Sequence, residues 1–175
     1  MKKSKKNARR PPAPKKGRKK RASKARLAAQ SALRSTPPEA MPPAAMSATD
    51  DLGRALAALQ SGRPQDALGL CRRVLARQPD NADALNLAGV AAFQTGDGAE
   101  ARSLLETAIA FRPGFADAHN NLGNVFKAVD ELGAAETQYR LALDARPGYW
   151  DAEYNLGITL EAQGRFAAAE TSYRR

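Results

Sequence analysis

Between residues 48 and 175, the chain repeats the apolar spacing of an amphipathic helix and not the alternation of a strand. Small or apolar residues recur mainly at i, i+3, i+4 and i+7, which places them on one helix face. Three such stripes are Leu85, Ala88, Gly89 and Ala92; His119, Leu122, Gly123 and Phe126; and Glu153, Leu156, Gly157 and Leu160. Each stripe is followed by a break, at Gly96, Asp130 or Gly164, and then by a second apolar segment. The pattern predicts pairs of helices joined by tight turns.

These helix pairs belong to a repeat of 34 residues. Residues 82–115 and 116–149 are identical at 10 of 34 positions without a gap, and residues 150–175 match the start of the preceding unit at 12 of 26 positions. Residues 48–81 fit the same frame more loosely. We therefore predict an all-α solenoid over residues 48–175, with three complete units and a truncated fourth.

Small residues at fixed positions of the unit indicate close helix packing. Position 8 is glycine in the last three units and position 20 is alanine in all four, while position 24 is Leu105, Tyr139 or Tyr173 in the last three. We expect the small residues to let two antiparallel helices approach closely, with the position-24 side chain filling the adjacent gap. The first unit has Asp51 at position 4 and Ala55 at position 8. Its first helix is therefore expected to be irregular or to serve as a terminal cap.

Together with Pro113 and Pro147 at position 32, this pattern resembles the tetratricopeptide repeat family. The resemblance covers residues 48–175 and is strongest from residue 82, although no unit has the family's usual tryptophan at position 4. It implies a right-handed superhelix of helix pairs whose first helices line a concave surface. It also implies a non-catalytic scaffold that binds a peptide or a partner segment in that groove.

Positions 2, 6, 9 and 13 lie opposite the packing stripe on a helical wheel, and position 12 lies beside it. The predicted ligand groove consists of Asp83, Leu87, Val90, Gln94, Asp117, Asn121, Asn124, Lys127, Asp151, Asn155 and Ile158. The three aspartates begin their helices, where a negative charge is favourable. The alternative is an acidic strip that attracts basic peptides, including the chain's own tail. Asn86 and Asn120, at position 5, are expected to face solvent or a neighbouring repeat.

The run HNNLGN, with asparagine at position 6, is similar to repeats that precede the catalytic domain of O-GlcNAc transferases and related bacterial proteins. The resemblance implies that Asn121 and Asn155 contact the backbone of a bound peptide. The alternative is a polar residue on a solvated face. Alanine at both positions is expected to weaken peptide capture and to leave thermal stability nearly unchanged. A second functional reading follows: the chain is the substrate-recruiting region of a longer glycosyltransferase or other transferase.

Charge divides the chain into two parts. Residues 1–47 hold 15 basic residues and one acid, Glu39, for a charge of +14, and residues 48–175 hold 13 basic and 17 acidic residues, for −4. The Lys/Arg-rich and Pro-rich tail, residues 1–47, is expected to be disordered. Residues 2–26 would contact nucleic acid or an anionic membrane without sequence specificity. The alternatives are a tail without a dedicated partner, or a true start at Met41 or Met46.

Residues that could support catalysis or hold a metal or cofactor are scarce. His119, the only histidine, occupies the packing stripe, and Cys71, the only cysteine, occupies position 24, so both are expected to be buried structural residues. A phosphate loop and a zinc motif are absent. We expect no active site, no cofactor and no metal, and one thiol favours a reducing, cytoplasmic location. Because Arg175 falls within a predicted second helix, we also expect an uncapped end that self-associates or frays.

Overall fold

The computed structural model describes residues 47–174 and contains eight α-helices in that part of the chain. Apart from Ser47, the basic tail lies outside the described residues. The helices are α1 Ala48–Gln60, α2 Pro64–Arg77, α3 Ala82–Gln94, α4 Gly98–Phe111, α5 Ala116–Ala128, α6 Leu132–Ala145, α7 Trp150–Ala162 and α8 Phe166–Tyr173. They form successive antiparallel pairs, which confirms the predicted all-α solenoid. No helix among them is long and apolar enough to cross a lipid bilayer.

Local sequence signals set the ends of several helices. Ser47 and Asp50 form a capping box at the start of α1, and the Asn81 side chain caps α3. The turn inside each pair requires a left-handed residue at position 15 of the unit. Three units place glycine there, whereas the third uses Asp130 at φ 62°. The predicted breaks are therefore sharp turns with a defined backbone geometry.

The predicted close approach within each pair is confirmed. A Cβ added to Gly123 would lie 2.5 Å from Cε1 of Tyr139, and one added to Gly89 would lie 2.7 Å from Cγ of Leu105. Tyr139 is fully buried, so its ring occupies the space that a side chain at position 8 would need. The first unit solves the same problem differently, since its larger Ala55 at position 8 is matched by the smaller Cys71 at position 24.

The array curves towards its first helices. The second helices α2, α4 and α6 each pack against their own first helix and against the first helix of the next unit. The first helices α1, α3, α5 and α7 also contact one another in sequence, whereas successive second helices in the described part have at most marginal contact. The first helices therefore form the inner side of the curve, and the second helices form the outer side.

The first helix of the first unit is regular, so the expectation that it is irregular is wrong. Helix α1 is regular over 13 residues, and Asp51 is 1% exposed within it. This carboxylate accepts hydrogen bonds from Arg73 and Arg77 of α2, the latter at 3.0 Å. A buried charge is tolerated when it is paired and hydrogen-bonded. The two arginines thus replace the apolar packing that Leu85 makes at position 4 of the second unit.

Candidate functional site

The inner surface of the solenoid is formed by the predicted face of the first helices. In α5, Asn121 and Asn124 are partly exposed, whereas residues 118–120, 122–123 and 125–126 are buried. The same alternation holds in α3, where Leu87 and Val90 are partly exposed and pack against the core cluster. Positions 6 and 9 are thus accessible on the inner side, while the rest of each first helix holds the repeats together.

Side-chain amides join consecutive first helices, which the sequence reasoning did not foresee. Asn121 Nδ2 donates to Asn86 Oδ1 at 2.9 Å, and Asn155 Nδ2 donates to Asn120 Oδ1 at 3.1 Å. Asn86 and Asn120 are 8% and 5% exposed, so these bonds lie in the interface between repeats. The expectation that Asn86 and Asn120 face a neighbouring repeat is confirmed, and the expectation that they face solvent is wrong. The signal was present as asparagines at positions 5 and 6 of successive units.

A second set of contacts links Asn124, Lys127 and Asn155 through Tyr139. The Tyr139 hydroxyl donates to Asn124 Oδ1 at 2.9 Å, and burial raises the pKa of this phenol, which keeps it protonated. Lys127 Nζ donates to Asn155 Oδ1 at 3.0 Å and lies 5.9 Å from the Tyr139 ring centroid. Three predicted groove residues, Asn124, Lys127 and Asn155, are therefore brought together where the third and fourth units meet, and Asn121 lies one turn before Asn124 on α5. Tyr139 was expected only as a packing residue.

Part of the hydrogen-bonding capacity of this cluster remains open. Within residues 47–174, no hydrogen bond involves Asn121 Oδ1 or Asn124 Nδ2. An amide oxygen accepts and an amide nitrogen donates, so α5 presents an acceptor and a donor one turn apart. These two groups match the N–H and C=O that any extended peptide backbone offers.

The acidic residues of the predicted groove form no free acidic strip. Both oxygens of Asp83 accept from Arg112, at 2.8 and 2.7 Å, and both oxygens of Asp117 accept from Arg146, at 2.9 and 2.7 Å. Arg146 holds the pKa of Asp117 below its ordinary value, against the opposing effect of partial burial. These pairs tie the start of each first helix to the end of the following second helix. Only Asp151 among the three is fully exposed.

The remaining predicted groove residues are placed apart from the amide cluster. Gln94 is exposed at the end of α3, and Ile158 is partly exposed on α7. Leu87 occupies position 6 of the second unit, where the later units have asparagine, so α3 offers an apolar surface in place of an amide. At position 6, the inner side therefore changes from an apolar side chain in the second unit to an amide in the third and fourth.

The only histidine and the only cysteine of the sequence lie in the packed interior and not on this surface. His119 is buried between Gln138 Oε1, 2.8 Å from its Nδ1, and the Pro113 carbonyl, 3.0 Å from its Nε2. Cys71 is fully buried, and desolvation raises the pKa of its thiol to about 12, so both predictions of structural roles are confirmed. No metal-binding group of His, Cys, Asp and Glu occurs in residues 47–174. The geometry supports binding.

Comparison with known proteins identifies the repeat. Two models of the tetratricopeptide repeat match residues 58–124 and residues 120–175. Among solved structures, MamA superposes with a TM-score of 0.64 at 24% identity, over 73% of this chain and 70% of that one. The first tetratricopeptide repeat domain of Spaghetti (RPAP3), bound to an HSP90 peptide, gives 0.62 at 20% identity, over 67% and 93%. At these identities, the likeness shows the fold.

A mutant of the O-GlcNAc transferase of Thermobaculum terrenum is more similar in sequence. It superposes with a TM-score of 0.67 at 34% identity, over 73% of this chain. The matched region is only 26% of the transferase chain. A search of curated proteins gives no match.

Proposed function

Because the chain belongs to the tetratricopeptide repeat family, we propose that its solenoid is a non-catalytic scaffold that binds an extended peptide or partner segment on its inner surface. The observation that carries this proposal is the open pair of amide groups on α5, Asn121 Oδ1 and Asn124 Nδ2. A family fold supplies a curved surface, and function resides in the groups placed upon it.

The proposed mode of binding uses both the backbone and the side chains of the peptide. Asn121 Oδ1 accepts from a peptide N–H, and Asn124 Nδ2 donates to a peptide C=O. Leu87, Val90 and Ile158 contact its apolar side chains, because they are partly exposed along the same face. Asp83 and Asp117 are assigned to the structure and not to the ligand, since their carboxylates are occupied by arginines.

Asn124→Asp tests this function. The aspartate keeps the oxygen that accepts from Tyr139 but replaces the donor facing the peptide with a second acceptor. We expect peptide affinity to fall about tenfold or more, which corresponds to about 1.4 kcal/mol. This loss is typical of a missing hydrogen bond, and here the aspartate oxygen also repels the peptide carbonyl oxygen. The assay is fluorescence anisotropy with labelled peptides selected from a random 12-residue display library on the wild-type chain.

The matched control is Gln65→Glu, which makes the same charge change at an exposed site on the outer helix α2. It should bind these peptides with wild-type affinity. Circular dichroism should give a similar melting temperature for both variants and the wild type. Failure to select any peptide, or an Asn124→Asp variant that binds normally, would refute the proposed mode of binding.

A second candidate function is favoured by the 34% identity to the transferase repeats. In this proposal, the solenoid presents peptide substrates to the catalytic domain of a longer transferase. The test is whether the coding sequence continues into a glycosyltransferase domain. If it does, that longer protein should modify the peptides selected on the solenoid, and Asn124→Asp should reduce their modification.

Self-association is a further proposal, supported by aromatic side chains on the fourth unit. Trp150 is 68% exposed, and its ring lies 5.9 Å from that of Tyr154, which in turn lies 6.0 Å from that of Tyr173. We call Trp150, Tyr154 and Tyr173 the aromatic cluster. An exposed group of aromatic rings is typical of an interface between proteins, and we propose that a second copy of the chain covers it.

A further inference from the structure

Lys127 differs from every other basic residue of the solenoid. It is the only lysine in residues 48–175, where the other 12 basic residues are arginines. Those on the outer side and at the helix ends pair with carboxylates, as Arg112 does with Asp83 and Arg140 with Glu136. For Lys127, the bonded oxygen in residues 47–174 belongs to a neutral amide, that of Asn155. Among the described residues, no carboxylate therefore contacts the ammonium group.

The surroundings of the Lys127 ammonium group raise the free-energy cost of keeping it charged. Lys127 is partly buried on the inner surface, and desolvation lowers its pKa. An ammonium group has three donors, of which one is used by Asn155. The Tyr139 ring, 5.9 Å away, adds only a weak attraction. A partly desolvated charge is stabilised most by an opposite charge.

We propose that Lys127 binds the side-chain carboxylate of an aspartate or glutamate in the peptide held by Asn121 and Asn124, so that the groove selects acidic peptides. The inference rests on the proposed function and adds the class of peptide. Residues 1–47 contain a single acid, Glu39, and are therefore poorly matched to this site.

The helix also sets the register of the acidic residue. Lys127 follows Asn121 by six positions, which is about 9 Å along α5 at roughly 1.5 Å per residue. An extended chain covers that distance in about three residues, at ~3.3 Å each. The acidic side chain should therefore occur about three residues from the peptide group that pairs with Asn121. All bound peptides should share this one acidic position.

The experiment uses the full 175-residue chain and the random 12-residue display library. Selected peptides are synthesised with an acetylated N-terminus and an amidated C-terminus, so that an acidic side chain is the only carboxylate. Each is made with glutamate, glutamine or lysine at every position in turn. We expect one position at which glutamine weakens wild-type binding about tenfold, as for the loss of a charge-assisted hydrogen bond.

Two variants at Lys127 separate binding from structure. Lys127→Met should bind the glutamate and glutamine peptides equally, and Lys127→Glu should reverse the preference in favour of lysine. Arg140→Met, which removes a charge on the outer helix α6, should keep the wild-type preference. Melting temperatures within a few degrees would show that Lys127 is not required for the fold. If Lys127→Met does not fold, the inference is tested by whether the wild-type chain prefers the glutamate peptides to the glutamine peptides.

The outcomes distinguish the inference from the function on which it rests. Peptides that bind without any shared acidic position, or an acidic preference that survives in Lys127→Met, would overturn the inference and leave the scaffold function intact. A library that yields no bound peptide would overturn both. A preference that disappears with Lys127→Met and reverses with Lys127→Glu would establish the carboxylate site.

Discussion

At the scale of single residues, the solenoid depends on pairing a small side chain with a large one across each helix pair. Gly123 faces Tyr139, and Gly89 faces Leu105, at distances that leave no room for a Cβ. Glycine in a helix costs about 1 kcal/mol relative to alanine. The buried position-24 side chain offsets this cost, because burying a large apolar side chain is worth about 1.5–3 kcal/mol.

Gly123→Ala should therefore destabilise the protein although alanine is the better helix former. The new Cβ would meet the Tyr139 ring at 2.5 Å, and overpacking of a core costs about 1–3 kcal/mol. We expect a net loss within that range, measured by urea denaturation followed by circular dichroism.

Gly69→Ala is the matched control, because Gly69 also lies within a helix but a Cβ there would meet nothing within 4 Å. This change should raise the stability by about 0.5–1 kcal/mol. Equal effects of the two substitutions would contradict the role assigned to Tyr139.

At the scale of helices, the amide bonds between first helices set how one repeat sits on the next. Asn121 and Asn155 each use Nδ2 to bond a buried asparagine of the preceding unit. The expectation that both could become alanine without loss of stability is therefore inconsistent with the structure. Each asparagine therefore contributes to the packing of one repeat on the next through its Nδ2. Asn121 keeps its oxygen open, whereas Asn155 uses both ends of its amide.

A double-mutant cycle on Asn86 and Asn121 measures one of these bonds. Asn121→Ala leaves the buried Asn86 oxygen without its donor, so we expect a loss of about 1–3 kcal/mol in the free energy of unfolding. Asn86→Ala followed by Asn121→Ala should cost much less than the sum of the single losses.

Gln94→Ala provides the control for the cycle, because this exposed residue of α3 lies away from the bond. It should change the free energy of unfolding by less than about 0.5 kcal/mol. Additive effects of Asn86→Ala and Asn121→Ala would show that the amides do not interact in solution.

At the scale of the whole molecule, the fourth unit breaks the pattern of the units before it. Positions 1 and 5 are Ala116 and Asn120 in the third unit, both buried, but Trp150 and Tyr154 in the fourth, both exposed. These two positions carry a small and a polar side chain in the second and third units but two aromatic side chains in the fourth. The two ends of the described solenoid therefore differ in chemistry.

Sedimentation velocity at increasing protein concentration tests self-association through the aromatic cluster. The wild-type chain should shift to a larger species as its concentration rises. The variant Trp150→Ala with Tyr154→Asn, which copies the third unit, should remain a monomer because the exposed aromatic area is removed. Phe166→Ala, at an exposed site for which no ring contact with the cluster is seen in the described part, serves as the control. Association that persists in the double variant would place the interface elsewhere.

The sequence by itself determined the helix pairs, the period and the side of each first helix that faces inward. These follow from local spacing, since side chains at i, i+3 and i+4 share a face whatever the helix packs against. It also indicated the position-8 and position-24 pairs, because glycine at position 8 recurs with a large side chain at position 24 in the last three units.

Only the tertiary structure decided which groove residues are open to a ligand. A helical wheel assigns Asp117, Asn121 and Lys127 to or beside one face. It cannot show that Arg146 pairs with Asp117, that Asn86 accepts from one end of the Asn121 amide, or that no carboxylate of the described residues contacts Lys127. Arg146 lies 29 residues from Asp117 in the chain, and Asn86 lies 35 residues from Asn121. Asn155, which accepts a hydrogen bond from Lys127, lies 28 residues from it. Whether a polar group is satisfied depends on such distant partners, and the curvature of the repeats brings them into contact.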